Sequence, residues 1–384
     1  MYDYLIIGAG VIGLAVAKSI KEHFPDASVC IIEKESGVGF HSSGRNSGVL
    51  HAGFYYTASS LKARFTRDGN RLLTRYCEEH NLKINRCKKV VIAQNDEEVR
   101  TLHELYRRGI QNGVEVMLWD AKTLYEHYPN IKTHKEALYS PHTATVDPKE
   151  ILTHLQKTLT DKGVEIRFNT PYTPAVKNQA KKIINCAGLY ADKIAKDFGF
   201  SKNYKILPFK GIYLKYTKND RFLDTNVYPV PNLKNPFLGV HYTITVDHEI
   251  KIGPTAIPAF WRENYAGMKN FRFSEFADIL TTEAKLMLTN SFGFRNLAFE
   301  EMKKYRKRYF ISLASKMLHK VDESGFTQWS RPGIRAQLLD TRTNELLQDF
   351  VVEGDRKSVH ILNAVSPAFT SSFPFAEWVV ENYL

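Results

Sequence analysis

Tyr4-Leu5-Ile6-Ile7-Gly8-Ala9-Gly10-Val11-Ile12-Gly13 is the stretch that decides the fold of this chain. The apolar, β-branched run Tyr4-Leu5-Ile6-Ile7 suits a strand buried on both faces. The glycine turn follows without a spacer, and Leu14, Ala17, Ile20 and Phe24 then recur at helical spacing as far as Pro25. Ser28-Val29-Cys30-Ile31-Ile32 predicts a second buried strand, ending at Glu33. Strand, glycine turn, helix, strand and acid, in this order, form a dinucleotide-binding unit. Gly8 permits the tight turn, Gly10 lets the backbone approach a pyrophosphate, and Gly13 lets the helix pack closely on the strand. The free N–H groups where the helix starts, at Val11 and Ile12, favour phosphate charge. Glu33 lies about twenty residues beyond the last glycine, where it accepts hydrogen bonds from a ribose 2′-hydroxyl and would repel the extra phosphate of NADP.

The residues after Glu33 and Lys34 bear on which dinucleotide is held. His41-Ser42-Ser43-Gly44-Arg45-Asn46-Ser47-Gly48-Val49-Leu50-His51-Ala52-Gly53 is small, polar and glycine-rich, where a plain NAD domain would enter a helix and a third strand. Such a stretch directly after the ribose-binding acid resembles the FAD-dependent D-amino-acid oxidase and glycine oxidase superfamily. The residues from Gly44 to Tyr56 resemble the signature of the L-2-hydroxyglutarate oxidase and dehydrogenase family within it. So do Ser140-Pro141 through Val146-Asp147-Pro148, Leu238-Gly239-Val240-His241, Gly253-Pro254-Thr255-Ala256, Gly333-Ile334-Arg335-Ala336-Gln337-Leu338, and Leu362-Asn363-Ala364-Val365-Ser366-Pro367-Ala368 with Thr370-Ser371-Ser372. These blocks keep the family's order over nearly the whole chain. Three places depart from it: a short connection at residues 171–182, the bulky Phe369 and Phe375-Ala376, and a basic region at residues 271–320.

The resemblance implies an α/β protein with a Rossmann-like, glutathione-reductase-like FAD-binding domain and a substrate domain built on an antiparallel sheet plus helices. The chemistry it implies is oxidation of a small 2-hydroxy acid, L-2-hydroxyglutarate in particular, by hydride transfer to the flavin N5. FAD would be held by Gly8, Gly10, Val11, Ile12, Gly13, Glu33 and Lys34, by Ser43, Gly44, Arg45, Asn46, Ser47 and Gly48, by Cys186, Ala187 and Gly188, and by Pro367, Thr370 and Ser371. The N-terminus of the last helix, reached through residues 366–372, would stabilise the anionic reduced ring.

At 384 residues the chain exceeds what one hydrophobic core serves, so two lobes are expected. A discontinuous FAD domain takes residues 1–86, 145–205 and 325–384, and a substrate domain takes residues 87–144 and 206–324. In the FAD domain, residues 163–168, 182–185 and 359–362 read as strands, with helices after Pro148 and from about Tyr190 and a closing helix over residues 375–383. In the substrate domain, residues 210–216, 239–246 and 249–253 read as antiparallel strands that roof the flavin. Residues 273–320 read as helices broken near Gly293.

No apolar run is long enough to cross a bilayer, and Met1-Tyr2-Asp3 is not the basic leader of a secretory signal, so a cytoplasmic location is expected. Cys30, Cys77, Cys87 and Cys186 show no metal-ligand spacing; no metal is expected, and Cys30 and Cys186 read as small buried thiols. The net charge of +12 is spread along the chain and selects no nucleic-acid partner. The run Lys303-Lys304-Tyr305-Arg306-Lys307-Arg308, followed by Tyr309-Phe310-Ile311, reads as a solvated helix face, with peripheral contact to the anionic inner face of a membrane as the alternative.

Oxidation of a hydroxy acid needs a base for the hydroxyl proton and a clamp for the carboxylate. Histidine suits the first task because its pKa lies near neutrality; His51, expected beside the ring, and His241, in a roof strand, both qualify. Arg335 suits the second, since a guanidinium matches a carboxylate with two parallel hydrogen bonds. Lys210 is the candidate for a distal carboxylate, and Tyr55 and Tyr56 for closing the pocket; His41 reads as a pyrophosphate or loop neighbour. Oxygen, a quinone and a soluble carrier are the candidate electron acceptors. Two other functions share the cofactor fold: an amine oxidase of the glycine-oxidase type, and a non-catalytic flavin-bearing RNA-binding protein.

Overall fold

The computed structural model describes residues 1–233, 237 and 239–384; Leu238 of the motif around His241 lies outside the described residues. β1 (Tyr2–Ile7) runs parallel to β2 (Val29–Ile32), and α1 (Val11–His23) connects them. Six strands build this sheet in the order Val351–Gly354, Ser358–Asn363, Ala180–Asn185, β1, β2, Glu165–Arg167, all parallel except the first pair. Side chains alternate along each strand. Ile6, Ile31 and Ile184 therefore face α1, Pro148–Asp161, Leu61–Glu79 and the C-terminal helix, whereas Leu5, Ile7, Cys30, Ile32 and Ile183 face Val176 and Ile194. Both faces are covered, which is why these strands read as unbroken apolar runs. At Gly13 a Cβ would stand 2.0 Å from the Gly8 carbonyl oxygen, so helix and turn touch backbone to backbone. The short connection at residues 171–182 is bridged by one 3₁₀ turn, Pro174–Asn178.

The C-terminal helix differs from its expected span. It runs Ala368–Tyr383, so Thr370, Ser371 and Ser372 are helical residues rather than a lead-in, and Pro374 lies inside it. Proline has no N–H to offer the carbonyl four residues back, which is that of Thr370. That carbonyl oxygen instead meets the backbone of Gly69, where a Cβ would be 2.0 Å away. A glycine on Leu61–Glu79 thus gives the freed carbonyl a Cα–H neighbour and lets the two helices lie in close contact. Phe375 fills the core beneath them, against Phe65 and Phe350.

The second region centres on an eight-stranded sheet in the order Phe326–Trp329, Leu214–Tyr216, Ile250–Gly253, His241–Ile244, Asn226–Pro229, Lys89–Ile92, Glu136–Ser140, Met117–Asp120. It is antiparallel apart from the pairing of Asn226–Pro229 with Lys89–Ile92. Residues 210–216 do not form one strand. Tyr204–Gly211 pairs with Gly333–Asp340 in a separate four-stranded sheet, and the chain changes sheets at Ile212-Tyr213, held by the Ile212 N–H to Thr255 Oγ1 bond of 3.1 Å. Phe326–Trp329, which follows the expected boundary at 325, hydrogen-bonds within the eight-stranded sheet.

The basic run does not form a single solvated face. Phe294–Lys303 ends there and Lys307–Ser315 begins, while Lys304 turns inward to pair with the buried Glu301. Phe310 and Ile311 belong to the core under the eight-stranded sheet, because an apolar pair next to a helix start is buried wherever a sheet face needs cover. The break near Gly293 is present, with Asn290, Phe292 and Gly293 at φ of 50°, 43° and 74°.

Candidate active site

The start of α1 carries no side-chain cap and no acid in its first turn, leaving N–H groups for an anion. The Val11 N–H donates to Ser43 Oγ at 3.0 Å. At the end of β2 the Glu33 carboxylate accepts from the Ala9 N–H at 2.8 Å and the Glu35 N–H at 3.0 Å. These groups wall a cavity of ≈ 1160 Å³, larger than the roughly 300–1,000 Å³ usual for drug-sized ligands. Gly8, Gly10, Val11 and Ile12 line it at the glycine turn, Glu33 and Lys34 beside β2, and Ser43, Arg45, Asn46 and Ser47 in the loop that follows. Cys186, Ala187 and Gly188 line it after Ala180–Asn185, and Pro367 and Thr370 at the head of the C-terminal helix. Cys186 is half-buried on this wall, not fully buried as its apolar run suggests.

Four residues expected at the cofactor stand behind the wall. Gly13 abuts the Gly8 carbonyl, Gly44 that of Gly39 and Gly48 that of Val146, each closer than a Cβ allows. Ser371 turns away to Thr66, its Oγ 3.2 Å from Thr66 Oγ1, because successive helical residues point in different directions. Thr370 joins wall to loop: its Oγ1 donates to the Val49 carbonyl and accepts the His51 N–H, each at 3.2 Å.

Near β2 the wall is a charge network that the sequence did not reveal. Lys34 bridges Glu35 and Glu263, the latter at 2.7 Å, and His41 lies 2.9 Å from Glu35 and 2.8 Å from the Tyr265 hydroxyl. Behind it Arg262 and Asp192, each 1% exposed, form a two-pronged pair at 2.6 and 2.9 Å.

His51, Tyr213 and Arg335 line the same cavity. Arg335 is held by a 2.9 Å bond from Nη1 to the Thr255 carbonyl and packs on the Phe237 ring. It has no carboxylate partner among the described residues, and burial lowers its pKa. Lys210 does not reach the cavity wall; its Nζ donates to Asn264 Oδ1 at 3.2 Å. The register explains why. Arg335 lies opposite Phe209, so Lys210, one residue on, points to the other face of the sheet.

His241 does not line the cavity either. It is buried, stacked on Tyr228 with centroids 3.6 Å apart, and its Nδ1 is 3.0 Å from the Gly239 carbonyl. Burial, and then Lys89, hold the imidazolium pKa of both His51 and His241 well below the ordinary value, so both rings are neutral near neutral pH. Tyr55 is buried among Phe54, Leu102 and Tyr228, and Tyr56 is half-buried beside that cluster; neither lines the cavity.

Lys89 is the residue that reading the sequence missed. Its side chain is 0% exposed, with Nζ 3.4 Å from His51 Nδ1. The available signal was its place two residues before Val91 in an apolar strand, which puts both on one face.

An uncapped helix start, a carboxylate at the end of the second strand and a long cavity joining them to a half-buried loop are the donor set and the shape that FAD requires. The sequence profile described as "FAD dependent oxidoreductase" matches residues 3–382, and the chain belongs to that family, with FAD as its cofactor. It is 34% identical over 401 residues to the L-2-hydroxyglutarate dehydrogenase of Indibacter alkaliphilus, covering 100% of both chains. It is 32% identical over 396 residues to the L-2-hydroxyglutarate dehydrogenase of Escherichia coli K12, covering 99% of this chain and 92% of that one. Among solved structures, the dithionite-reduced L-alpha-glycerophosphate oxidase of Mycoplasma pneumoniae with FAD bound is similar in fold, with a TM-score of 0.76, 20% identity, and 100% and 95% of the two chains covered. Among the described residues no helix is long and apolar enough to cross a membrane.

Proposed function

We propose that this chain oxidises L-2-hydroxyglutarate to 2-oxoglutarate. One observation carries the reading: a neutral imidazole, His51, and a guanidinium without a carboxylate partner among the described residues, Arg335, line the cavity that opens at the dinucleotide turn. FAD, when bound, accepts the hydride from C2. The residues that line the cavity at the glycine turn, the loop after Lys34, the turn at Cys186 and the head of the C-terminal helix would hold it, with Glu33 as the acceptor for the ribose. Arg335 grips the carboxylate next to C2 and fixes the substrate's orientation. His51 takes the hydroxyl proton; its lowered pKa keeps it unprotonated, and so competent as a base, at neutral pH. The relatives' printed names supply the five-carbon dicarboxylate; the guanidinium of Arg335, with no carboxylate partner among the described residues, supports an anionic substrate.

Anaerobic addition of L-2-hydroxyglutarate to the FAD-loaded protein bleaches the flavin absorbance, and a panel of L- and D-amino acids does not. Bleaching by amino acids alone would transfer the reading to an amine oxidase. Reoxidation with oxygen, a soluble quinone or a protein carrier then identifies the acceptor class.

A cytoplasmic chain meeting an anionic bilayer is part of this reading. The contact lies at the end of Phe294–Lys303 and in the turn into Lys307–Ser315, where Phe299 (59% exposed), Met302, Tyr305, Lys303, Arg306 and Lys307 are all exposed. Sedimentation with phosphatidylserine vesicles at low salt, lost at high salt, is the expected result; no sedimentation at low salt refutes the contact.

A further inference from the structure

Lys89 opens the strand Lys89–Ile92, in which Val90 and Ile92 enter one core and Val91 another. Alternation puts Lys89 on the Val91 face, among Phe54, Tyr55 and Tyr228. A fully buried ammonium is costly unless it is paired, yet no carboxylate pairs with Lys89 among the described residues. Its Nζ has two close neighbours: His51 Nδ1 at 3.4 Å, and the Tyr228 ring with its centroid at 4.2 Å. His51 Nε2, by contrast, has no hydrogen-bond partner among the described residues, on a ring that lines the cavity.

The elements packed on Lys89 turn titratable or charged groups toward it. The loop after Val49–Leu50 supplies His51 and Tyr55, and the turn before Lys89 supplies Cys87. Asn226–Pro229 supplies Tyr228, and His241–Ile244 supplies His241, stacked on the far side of Tyr228. Arg335 and Lys304 act on His241 from farther out. Burial pushes the Cys87 thiol and the tyrosines up and the two imidazoles down, so no anion among the described residues faces the lysine at neutral pH. Burial lowers the Lys89 pKa to about 7, which makes its neutral amine available in the working range.

We propose that Lys89 is the positioning partner of His51: its neutral amine accepts the Nδ1 proton, which leaves the Nε2 lone pair free for the substrate's hydroxyl proton. This rests on His51 being the base in the reading above. As the substrate O–H bond breaks, an Nε2–H bond forms, the Nδ1–H proton passes to Nζ, and the positive charge ends on Lys89. The electron pair of the O–H bond becomes the second C–O bond as C2 gives up its hydride to the cofactor. When Lys89 is an ammonium it donates to Nδ1 instead. His51 then carries its proton on Nε2, and the face turned to substrate has no base. The same pair of nitrogens therefore sets both the tautomer and the pH at which it is useful.

The test is the imidazole ¹⁵N–¹H spectrum of the full chain, with and without FAD, between about pH 6 and 9. In wild type, His51 changes from the Nε2–H to the Nδ1–H tautomer as pH rises. Lys89→Met abolishes the change, and Lys89→Arg, which stays charged, holds Nε2–H throughout. A tautomer independent of pH in wild type overturns the proposal. Flavin reduction by L-2-hydroxyglutarate is the second readout. Wild type shows an acid limb, Lys89→Met shifts that limb to lower pH, and Lys89→Arg slows reduction by at least about 100-fold. A purely structural role would lower the rate at every pH and leave the limb where it was. If the Arg variant does not fold, the Met variant decides by itself. A tautomer change without reduction by L-2-hydroxyglutarate refutes the substrate reading alone; reduction without a tautomer change refutes the Lys89 proposal alone.

Discussion

Replacing Gly69 with alanine puts a methyl group into the contact between Leu61–Glu79 and the C-terminal helix. The new Cβ would lie 2.0 Å from the Thr370 carbonyl oxygen, 2.9 Å from its carbon and 3.0 Å from Ser371 Cα, all backbone atoms that cannot swing aside. Restoring ordinary contact requires the helices to part by about 1.4 Å, a displacement at the upper end of overpacking and worth about 3 kcal/mol. Alanine returns about 1 kcal/mol through its better helix propensity, so the net loss is about 2 kcal/mol. At about 2 °C per kcal/mol for a chain of this size, the Tm falls by about 4 °C. The same shift reaches the cofactor wall, because Thr370 Oγ1 ties the His51 N–H to the Val49 carbonyl. FAD retention should therefore fall with stability. Melting followed by flavin fluorescence and by an extrinsic dye, at one fixed FAD concentration, measures both. A Gly69→Ala protein that melts within about 1 °C of wild type and keeps its FAD would refute the account of the freed Thr370 carbonyl.

If Arg335 grips the substrate carboxylate as proposed, Arg335→Met removes two charge-assisted hydrogen bonds, about 3–4 kcal/mol in all. Anaerobic kcat/KM for flavin reduction should fall by about 10²–10³-fold, and a change below about threefold would remove Arg335 from the clamp. Glu33→Gln keeps one acceptor for the Ala9 N–H but loses the charge on the ribose; FAD affinity by calorimetry should fall by about tenfold, and unchanged affinity contradicts the ribose role. Glu283, buried on Phe273–Thr289 with no partner for its Oε1 among the described residues, has a pKa raised by burial to about 8. Because the folded pKa lies above the unfolded one, the native state binds the extra proton, and stability declines as pH rises from about 4.5 to 8, by on the order of 3–5 kcal/mol. Urea unfolding of wild type and Glu283→Gln should thus diverge with rising pH in favour of the variant; equal differences at both ends of that window would refute it.

The opening unit was legible because all its determinants are local. Turn, helix and the next strand's acid lie within the first 33 residues, and each residue type has one physical job there. His51 and Arg335 were reachable through the motifs around them, and both line the cavity. Lys210 was misplaced because the parity of a strand, not its composition, decides which face a side chain takes, and residues 210–216 were read as one strand where the chain changes sheets. The C-terminal helix begins at Ala368 rather than near 375, and what makes Pro374 tolerable inside it is a glycine on a distant helix that takes up the carbonyl it frees, which no local pattern reports.

Lys88 and Lys89 mark where local information ends. As adjacent, chemically identical residues they read alike, and only the strand parity that Lys89 shares with Val91 separates them. In the folded chain Lys88 is exposed at φ 61°, whereas Lys89 is buried against His51. Propensity, periodicity and turn chemistry are written within a few residues of one another, so the dinucleotide unit could be read directly. Burial and the pKa it shifts come from atoms that are tens or hundreds of residues apart in the chain. Only the packing of the eight-stranded sheet against the loop after Val49–Leu50 brings Lys89, Tyr228 and His51 together.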